Sequence, residues 1–348
     1  MKRRIGLGLF VIAVLLLRAC ITPVRAPAVT PVSVHALAVD QAGQVWAVDL
    51  YEKPHRPIGS RYVQYRRVNH VLRYDKADRV WRQVVSPGHD VLTIAADPKR
   101  GVWGAGRGKL SHRDGTRWRT WPVVSGDFHY GPTPTALLVE ENGRVWIGAA
   151  RCGVWTTESP CSARGKALNW RHFTVQDGLA DEKITAMAQG PDGRIYAAHY
   201  AGISVFVPGS EVDNGHWFTL PGSDVDRDGW INALAFDQAT GELWVGYHKD
   251  KSLRSYKEGR WMDYSLPFFA RHSVGALLVD NEGTLWMGAS AGVCHWSIDK
   301  DESRRQAFDA DCCDFFFCHV LALTQDFQGC VWVGGREGVA MLKDPAGE

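Results

Sequence analysis

The sequence has little net charge, no cysteine pattern of a zinc site and a single long apolar run. Its formal net charge is +2 over 348 residues, and no long stretch carries one sign, so nothing indicates a nucleic-acid surface or a charged tail. Beyond the first twenty residues, no apolar segment is long enough to cross a membrane. Eight cysteines are present, but none form a CxxC…CxxC pair, so disulfides explain them better than zinc.

The composition that remains is typical of a globular, strand-rich chain. Hydrophobic residues make up 45% and charged residues 22% of the sequence, which suits one large domain or two smaller ones. The 15 tryptophans and 36 glycines are high counts for this length. They favour many short strands packed through aromatic rings and joined by tight turns.

The first twenty residues have the pattern of a signal peptide. Residues 2–4 are basic and residues 5–17 are apolar, a run too short to span a bilayer comfortably. Residues 17–20 resemble the lipobox of bacterial lipoproteins, which implies lipidation at Cys20, although Arg18 departs from that pattern. Cleavage after Ala28 and an uncleaved anchor are the alternatives. Each of them places the domain outside the cytoplasm, with membrane contact only through the N-terminus.

Self-similarity along the chain predicts the fold. Seven copies recur of an apolar strand, an acidic-Gly turn and a short strand opening on an aromatic residue. Successive anchors lie 42 to 57 residues apart, close to the roughly 40–50 residues of a four-stranded blade. The anchors are Trp46, Trp103, Trp146, Tyr196, Trp244, Trp286 and Trp332. We therefore predict an all-β, seven-bladed β-propeller of four-stranded antiparallel blades over residues 34–343, with a tail at 344–348.

The two ends of the repeat array predict how the ring closes. The seventh copy ends at 339–342 without a fourth strand, and residues 21–33 are left over before the first copy. We expect this N-terminal segment to supply the outer strand of the last blade, since closure removes exposed strand edges. Eleven tryptophans fall at equivalent places on second and fourth strands, and we expect them to pack between blades.

Residues 173–206 resemble the two-component regulator propeller repeat, with a DGL turn, a D-x-x-G-like turn and an aromatic second strand. Copies at 233–247, 276–293 and 321–339 match the second half of that repeat. The resemblance implies an extracytoplasmic sensor propeller, a class thought to sense glycans. No kinase part follows, so we expect a stand-alone propeller. Streptogramin lyase-like propellers share a related repeat, but no ordered His/Glu set can be carried over.

The longest predicted loop is the strongest candidate for a ligand contact. Residues 51–70 carry five Lys or Arg against Glu52, with three interleaved tyrosines. Arginine forks match carboxylate or phosphate, and tyrosine can stack on sugars, so we predict an anionic ligand. A solvated insertion is the alternative. The candidate residues in this loop are Arg56, Arg61, Tyr62, Tyr65 and Arg66.

Other predicted loops on the same propeller face carry basic and aromatic side chains that could complete this site. No spacing forces any two of them together, and a single histidine more often has a structural role. No catalytic residue is predicted. The further candidates are Arg107, Arg151, His199, Tyr200, His248, Arg271 and Arg336.

One local motif predicts a cation site. Asp224, Asp226 and Asp228 precede Gly229, with Asn232 following, and alternating carboxylates before a glycine can wrap a calcium ion. Position 12 of an EF-hand loop would be Ala235, so this is not an EF-hand. Asx turns without metal are the alternative.

The cysteines predict one disulfide. Cys294 begins a third strand, and Cys312 and Cys313 lie just beyond its expected neighbour strand. We expect Cys294 to bond to Cys312 or Cys313.

Taken together, the sequence favours a non-enzymatic, extracytoplasmic binding module for an anionic glycan or an envelope protein. A carbohydrate-active lyase or hydrolase on the channel face and a scaffold in an envelope complex are the alternatives. Calcium is the only cofactor indicated.

Overall fold

The chain folds into seven four-stranded antiparallel sheets, so the predicted propeller is confirmed. The structure is a computed structural model. It describes residues 21–23, 29–55, 64–115, 117–123, 132–158, 168–209, 215–224, 230–248, 253–264, 272–297, 313–314 and 319–342. Each of the first six sheets is built from four consecutive strands. A 3₁₀ turn, Val175–Asp177, leads into the DGL segment.

The strands are numbered in chain order, and each blade runs from its innermost strand outward. Blade 1 contains β2 (Val34–Val39), β3 (Val45–His55), β4 (Gln64–Asp75) and β5 (Val80–Val84). Blade 2 contains β6 (Thr93–Ala96), β7 (Val102–Gly106), β8 (Lys109–Asp114) and β9 (Arg117–Pro122). Blade 3 contains β10 (Pro134–Val139), β11 (Val145–Ala149), β12 (Val154–Thr157) and β13 (Trp170–Phe173). Blade 4 contains β14 (Ile184–Gln189), β15 (Ile195–His199), β16 (Gly202–Val207) and β17 (His216–Thr219).

The last three blades follow the same order. Blade 5 contains β18 (Ile231–Phe236), β19 (Leu243–Tyr247), β20 (Leu253–Lys257) and β21 (Arg260–Tyr264). Blade 6 contains β22 (Val274–Val279), β23 (Thr284–Ala289), β24 (Gly292–Ser297) and β25 (Cys313–Asp314). Blade 7 contains β26 (Val320–Gln325), β27 (Val331–Gly335), β28 (Gly338–Leu342) and, from the N-terminus, β1 (Ile21–Pro23).

The ring closes as predicted, through an N-terminal strand. Ile21 pairs with Leu342 and Pro23 with Ala340, so β1 is the outer strand of blade 7. Each first strand contacts the first strands of both neighbouring blades, and β26 contacts β2. Every blade therefore buries both faces against a neighbour, and the second strands are buried along their whole length in blades 2 to 5 and 7.

The tryptophans pack between blades, as the repeat predicts. Trp81, Trp103, Trp146, Trp244 and Trp332 are among the largest fully buried side chains. Some fourth-strand rings also reach the preceding blade by hydrogen bonds. Trp118 Nε1 donates to the Val85 carbonyl at 2.7 Å, and Trp261 Nε1 to the Pro221 carbonyl at 2.8 Å. These bonds fix blades 2 and 5 against the end of the preceding blade. The fourth-strand Trp81 and Trp217 of blades 1 and 4 have no acceptor for Nε1 among the described residues.

The longest predicted loop is largely a β-hairpin. Strands β3 and β4 continue past the body of the sheet, with Lys53 opposite Arg66 and Pro54 opposite Tyr65 in the register. The expectation of a loop over 51–70 is therefore wrong for most of its length, because strand pairing continues to His55 and resumes at Gln64. Of the candidates there, Tyr65 and Arg66 lie on a strand, whereas Arg56, Arg61 and Tyr62 lie outside the described residues.

Within the part of the chain that the structure describes, no helix is long and apolar enough to cross a membrane.

Candidate functional site

A cavity of about 560 Å³ opens between blades 1 and 2 on the face that carries the β3–β4 hairpin. Blade 1 contributes residues from its first three strands, and blade 2 contributes the loop before β6 and the turn between β7 and β8. Cavities of this size commonly hold small ligands. The described lining residues are His35, Val48, Leu50, Asn69, His89, Asp90, Leu92, Arg107 and Lys109.

The blade 2 wall depends on a close approach between a loop and a strand end. A Cβ at Gly106 would lie 2.1 Å from the Asp90 carbonyl oxygen and 2.5 Å from His89 Nδ1. Glycine is therefore required there for the His89–Asp90 segment to lie against β7. Leu92 N also donates to the Ala105 carbonyl at 2.8 Å, which fixes the loop on the strand.

The His89 ring in this wall has a hydrogen-bond partner at each nitrogen. Its Nδ1 lies 3.1 Å from the Asp90 carbonyl oxygen, which can only accept, so Nδ1 carries the proton. Nε2 then accepts from the Ser111 hydroxyl at 2.7 Å. Burial lowers the pKa of His89, against a smaller raising effect of Asp90. The positive charge of this wall thus comes from other residues.

Two permanent cations supply that charge. Arg107 and Gly108 form the turn between β7 and β8, and Gly108 takes a left-handed φ of 63°. Lys109 follows, so two exposed cationic side chains flank the glycine at the cavity edge. Asp90 is the one acidic residue among the described lining residues. The predicted ligand residue Arg107 therefore lies in a cavity with a net positive lining.

The buried carboxylate of Asp49 fixes the blade 1 wall of the cavity. Asp49 Oδ1 accepts from Val32 N and Ser33 N, both at 2.8 Å. Burial raises the pKa of Asp49, while those two N–H groups and the charges of His70 and His35 lower it. The bonds hold the chain entering β2, and hence His35, at the cavity. Leu50 pairs with Asn69 at the base of the hairpin, which places the hairpin beside this opening.

A second feature of the same face is a stack of rings across blades 4 and 5. Tyr200 stacks on Trp230 with 5.1 Å between centroids and 17° between planes. Trp230 stacks on His248 at 3.8 Å and 12°. His248 Nδ1 lies 2.8 Å from Ser273 Oγ in blade 6. The predicted residues Tyr200 and His248 are thus brought together by Trp230, which was not among the predicted ligand residues.

Among the described residues, a lysine covers the outer face of this stack. Lys183 Nζ lies 5.0 Å from the centre of the Tyr200 ring, and Tyr200 is 41% exposed. Both faces of Trp230 are already occupied by its neighbours. On the described residues, the side of Tyr200 that faces Lys183 is the one on which a sugar ring could stack, and there the ammonium group would meet an acidic substituent.

The prediction that His199 contacts a ligand is wrong, because the side chain is buried in the blade. It is fully buried, Nδ1 accepts from Ala201 N at 3.1 Å, and Nε2 donates to Ser204 Oγ at 2.9 Å. Burial lowers the pKa of His199 to about 4, against a small raising effect of Asp181. The ring is a structural support beneath Tyr200, and the sequence could not show which way it points.

The remaining predicted ligand residues are dispersed. Arg151 follows β11 in blade 3 and Arg336 follows β27 in blade 7, both exposed. Neither lies among the described lining residues of the cavity. Arg271 lies outside the described residues.

The predicted calcium loop is only partly described. Asp224 is exposed, whereas Asp226 and Asp228 lie outside the described residues. Asn232 Nδ2 donates to the Val274 carbonyl at 3.1 Å, a bond between blades 5 and 6. Thr135 makes the equivalent bond from blade 3 to the Ile184 carbonyl at 2.7 Å. Asn232 therefore has an inter-blade role. Within the described ranges, no group of three or more His, Cys, Asp or Glu could hold a metal ion.

The predicted disulfide has a favourable strand register. Cys294 is buried in β24 and lies directly opposite Cys313 of β25; Cys312 lies outside the described residues. Cys152 is a free thiol beside β12, and burial raises its pKa, with a further contribution from Glu182. The bridge between Cys294 and Cys312 or Cys313 stays a prediction.

Comparison with solved structures identifies the fold class. The extracellular domain of a protein assigned to a hybrid two-component system of B. thetaiotaomicron matches with a TM-score of 0.66 and 15% identity, over 93% of this chain and 39% of that one. A second such domain from the same organism gives 0.65 and 13%, over 91% and 40%. The chain thus spans about two fifths of the length of these structures.

An enzyme shares the same fold. Virginiamycin B lyase from Staphylococcus aureus matches with a TM-score of 0.60 and 11% identity, over 89% of this chain and 94% of that one. No protein-family model and no curated protein matches the sequence. The structural neighbours agree with the resemblance drawn from the repeat, and at these identities they show the fold alone.

Proposed function

We propose that this chain is a non-enzymatic, extracytoplasmic binding module that takes an anionic sugar in the cavity between blades 1 and 2. The observation that carries the proposal is the position of Arg107 and Lys109 at the edge of a cavity of about 560 Å³ with one acidic lining residue among those described. Arginine offers a planar fork to a carboxylate or sulfate, and lysine adds a second charge.

The location outside the cytoplasm is supported by the predicted signal peptide and by the extracellular origin of the two-component neighbours. Lipidation at Cys20, a calcium ion at Asp224–Asp228 and the Cys294 disulfide belong to the same proposal. An envelope protein is the alternative partner for this face.

The test is a glycan array followed by calorimetric titration of the acidic oligosaccharides that bind. We expect Arg107→Ala together with Lys109→Ala to weaken binding at least tenfold. Arg336→Ala, which removes an exposed arginine from the same face in blade 7, serves as the matched control and should leave affinity unchanged. Equal loss in the control would indicate a diffuse charge effect, and no loss in the double variant would contradict the proposal.

A lyase acting in the same cavity is the second candidate, because His35, His89 and Asp90 line it together. Binding is favoured over chemistry because both ring nitrogens of His89 are engaged by Ser111 and the Asp90 carbonyl. Incubation with the bound oligosaccharide distinguishes the two. Appearance of unsaturated sugar products, lost in His89→Ala, would establish the lyase.

A further inference from the structure

A second cleft lies between blades 1 and 2 on the opposite face, at the turns that join first to second strands. Its volume is about 390 Å³. Four cationic side chains line it, from the third strands of both blades and from the blade 2 turn, and Asp40 is the one acidic residue among the described lining residues. The four are Arg73, Lys99, Arg100 and Arg113.

The two third-strand arginines have unused donors. Nε of Arg73, and Nε and Nη1 of Arg113, are buried without a hydrogen-bond acceptor among the described residues. A buried donor without an acceptor is destabilising, and more so when it is charged. The guanidinium of Arg113 is also positioned by two rings, at 5.9 Å from the centre of Trp46 and 5.6 Å from that of Trp118.

The acidic groups nearby are committed elsewhere. Asp40 Oδ1 accepts from Ala42 N and Gln44 N, and its Oδ2 accepts from Trp46 Nε1 at 2.8 Å. Arg100 Nε is paired with Asp114 at 2.8 Å. Burial lowers the pKa of Arg113, and the charge of Arg73 adds to that effect. The two guanidinium groups thus repel each other across the cleft.

We propose that this cleft binds a tetrahedral oxyanion, a sulfate or phosphate group, between Arg73 and Arg113. Such a dianion offsets the mutual repulsion of the two guanidinium groups that line the cleft, and their planar N–H donors match its oxygens. The site is separate from the sugar cavity of the opposite face and does not depend on it.

The test is titration with sodium sulfate and with sodium phosphate, each against sodium chloride at the same ionic strength, monitored by calorimetry and thermal unfolding. We expect sulfate or phosphate to bind and raise Tm where chloride does not. Arg113→Met should raise the dissociation constant at least tenfold. Arg113→Lys keeps the charge but loses the planar donors, and should also weaken binding. Arg260→Met removes an exposed arginine from blade 5 as the control and should leave affinity unchanged.

The variants also show whether the fold is intact. Because Arg113→Met removes a half-buried cation whose Nε and Nη1 have no acceptor among the described residues, its Tm in chloride should equal or exceed that of the wild type. Tighter binding of phosphate monoesters than of sulfate esters would assign the site to phosphorylated ligands, and the reverse to sulfated ones. Equal effects of sulfate, phosphate and chloride, or undiminished binding by Arg113→Met, would overturn the proposal. The Arg107 and Lys109 double variant should retain this binding.

Discussion

The indole nitrogen of Trp286 donates to Asp280 Oδ2 at 2.8 Å, across the turn that joins β22 to β23. Oδ1 of the same carboxylate accepts from Glu282 N and Thr284 N, so one aspartate both shapes the turn and orients the ring. An acid six residues before the ring makes the same bond in four other blades. Those pairs are Asp40–Trp46, Asp97–Trp103, Glu140–Trp146 and Asp326–Trp332.

Blade 5 departs from this rule because its turn is one residue longer. Asp237 precedes Trp244 by seven residues, and its carboxylate accepts from Thr240 Oγ1 at 2.6 Å instead. Trp244 Nε1 is buried and has no acceptor among the described residues. The anchor tryptophan at this position of the repeat is therefore hydrogen-bonded in blade 6 and has no acceptor in blade 5 among the described residues.

Replacing these two tryptophans by phenylalanine should give different losses of stability. Trp286→Phe leaves Asp280 Oδ2 without its donor, whereas Trp244→Phe removes an indole N–H that has no acceptor. We expect Trp286→Phe to lower the free energy of unfolding by about 1–2 kcal/mol more than Trp244→Phe. Denaturant unfolding at pH 7 measures both. Equal losses would show that the hydrogen bond contributes no net stability.

The fold could be predicted because each blade repeats its information locally. The acidic-Gly turn, the buried second strand and the aromatic anchor all lie within about fifteen residues, and the leftover N-terminal segment predicted β1. The ring stack could not be predicted in the same way, since Tyr200 and Trp230 belong to different blades. A signal existed, however. The residue after a second strand meets the residue before the next blade's first strand, as His248 meets Ser273.

The pairing of Arg73 with Arg113 in one cleft could not be predicted from the sequence. Arg73 and Arg113 lie in strand sequences that carry no distinguishing motif. Their side chains reach the same cleft only because blades 1 and 2 pack against each other. The direction of the His199 ring, toward Ser204 and away from solvent, likewise depends on tertiary packing.

Acidification should weaken the fold through His199. Its pKa is lowered to about 4 in the folded protein, against about 6.5 when unfolded. The unfolded chain thus binds this proton first, so stability is complete above pH 6.5 and falls as the pH drops toward 4, by at most about 3 kcal/mol. Protonation would also end the bond that Nδ1 accepts from Ala201 N.

Unfolding by urea between pH 7 and pH 4.5 measures this dependence. His199→Asn should be less stable at pH 7 but lose less on acidification than the wild type. His216→Asn, at an exposed histidine of β17, should keep the wild-type dependence. An unchanged dependence in His199→Asn would contradict the assignment.

Filling the contact at Gly106 should damage the sugar cavity. Gly106→Ala places a methyl group 2.1 Å from the Asp90 carbonyl oxygen, so the His89–Asp90 segment must move. We expect a loss of about 1–3 kcal/mol of stability and weaker binding of the acidic sugar. Gly88→Ala, in the same loop, meets no heavy atom within 4 Å. At its φ of 86° it should cost about 1 kcal/mol and leave affinity unchanged. Equal affinities of the two variants for the acidic sugar would show that the sugar does not bind in this cavity.

Oxidation should link β24 to its outer neighbour. Because Cys294 and Cys313 are directly opposed, we expect peptide mapping without reductant to find Cys294 joined to Cys312 or Cys313. Cys294→Ser should then cost about 3 kcal/mol under oxidising conditions and much less with reductant. A loss that is the same in both conditions would indicate packing alone.

The most direct measurement of the central claim is a crystal structure of the protein with the acidic sugar that binds tightest. We expect ligand density between blades 1 and 2, with the acidic group within hydrogen-bond distance of Arg107 and Lys109. Density confined to the Lys183–Tyr200 end of the ring stack, or to the opposite face, would contradict it.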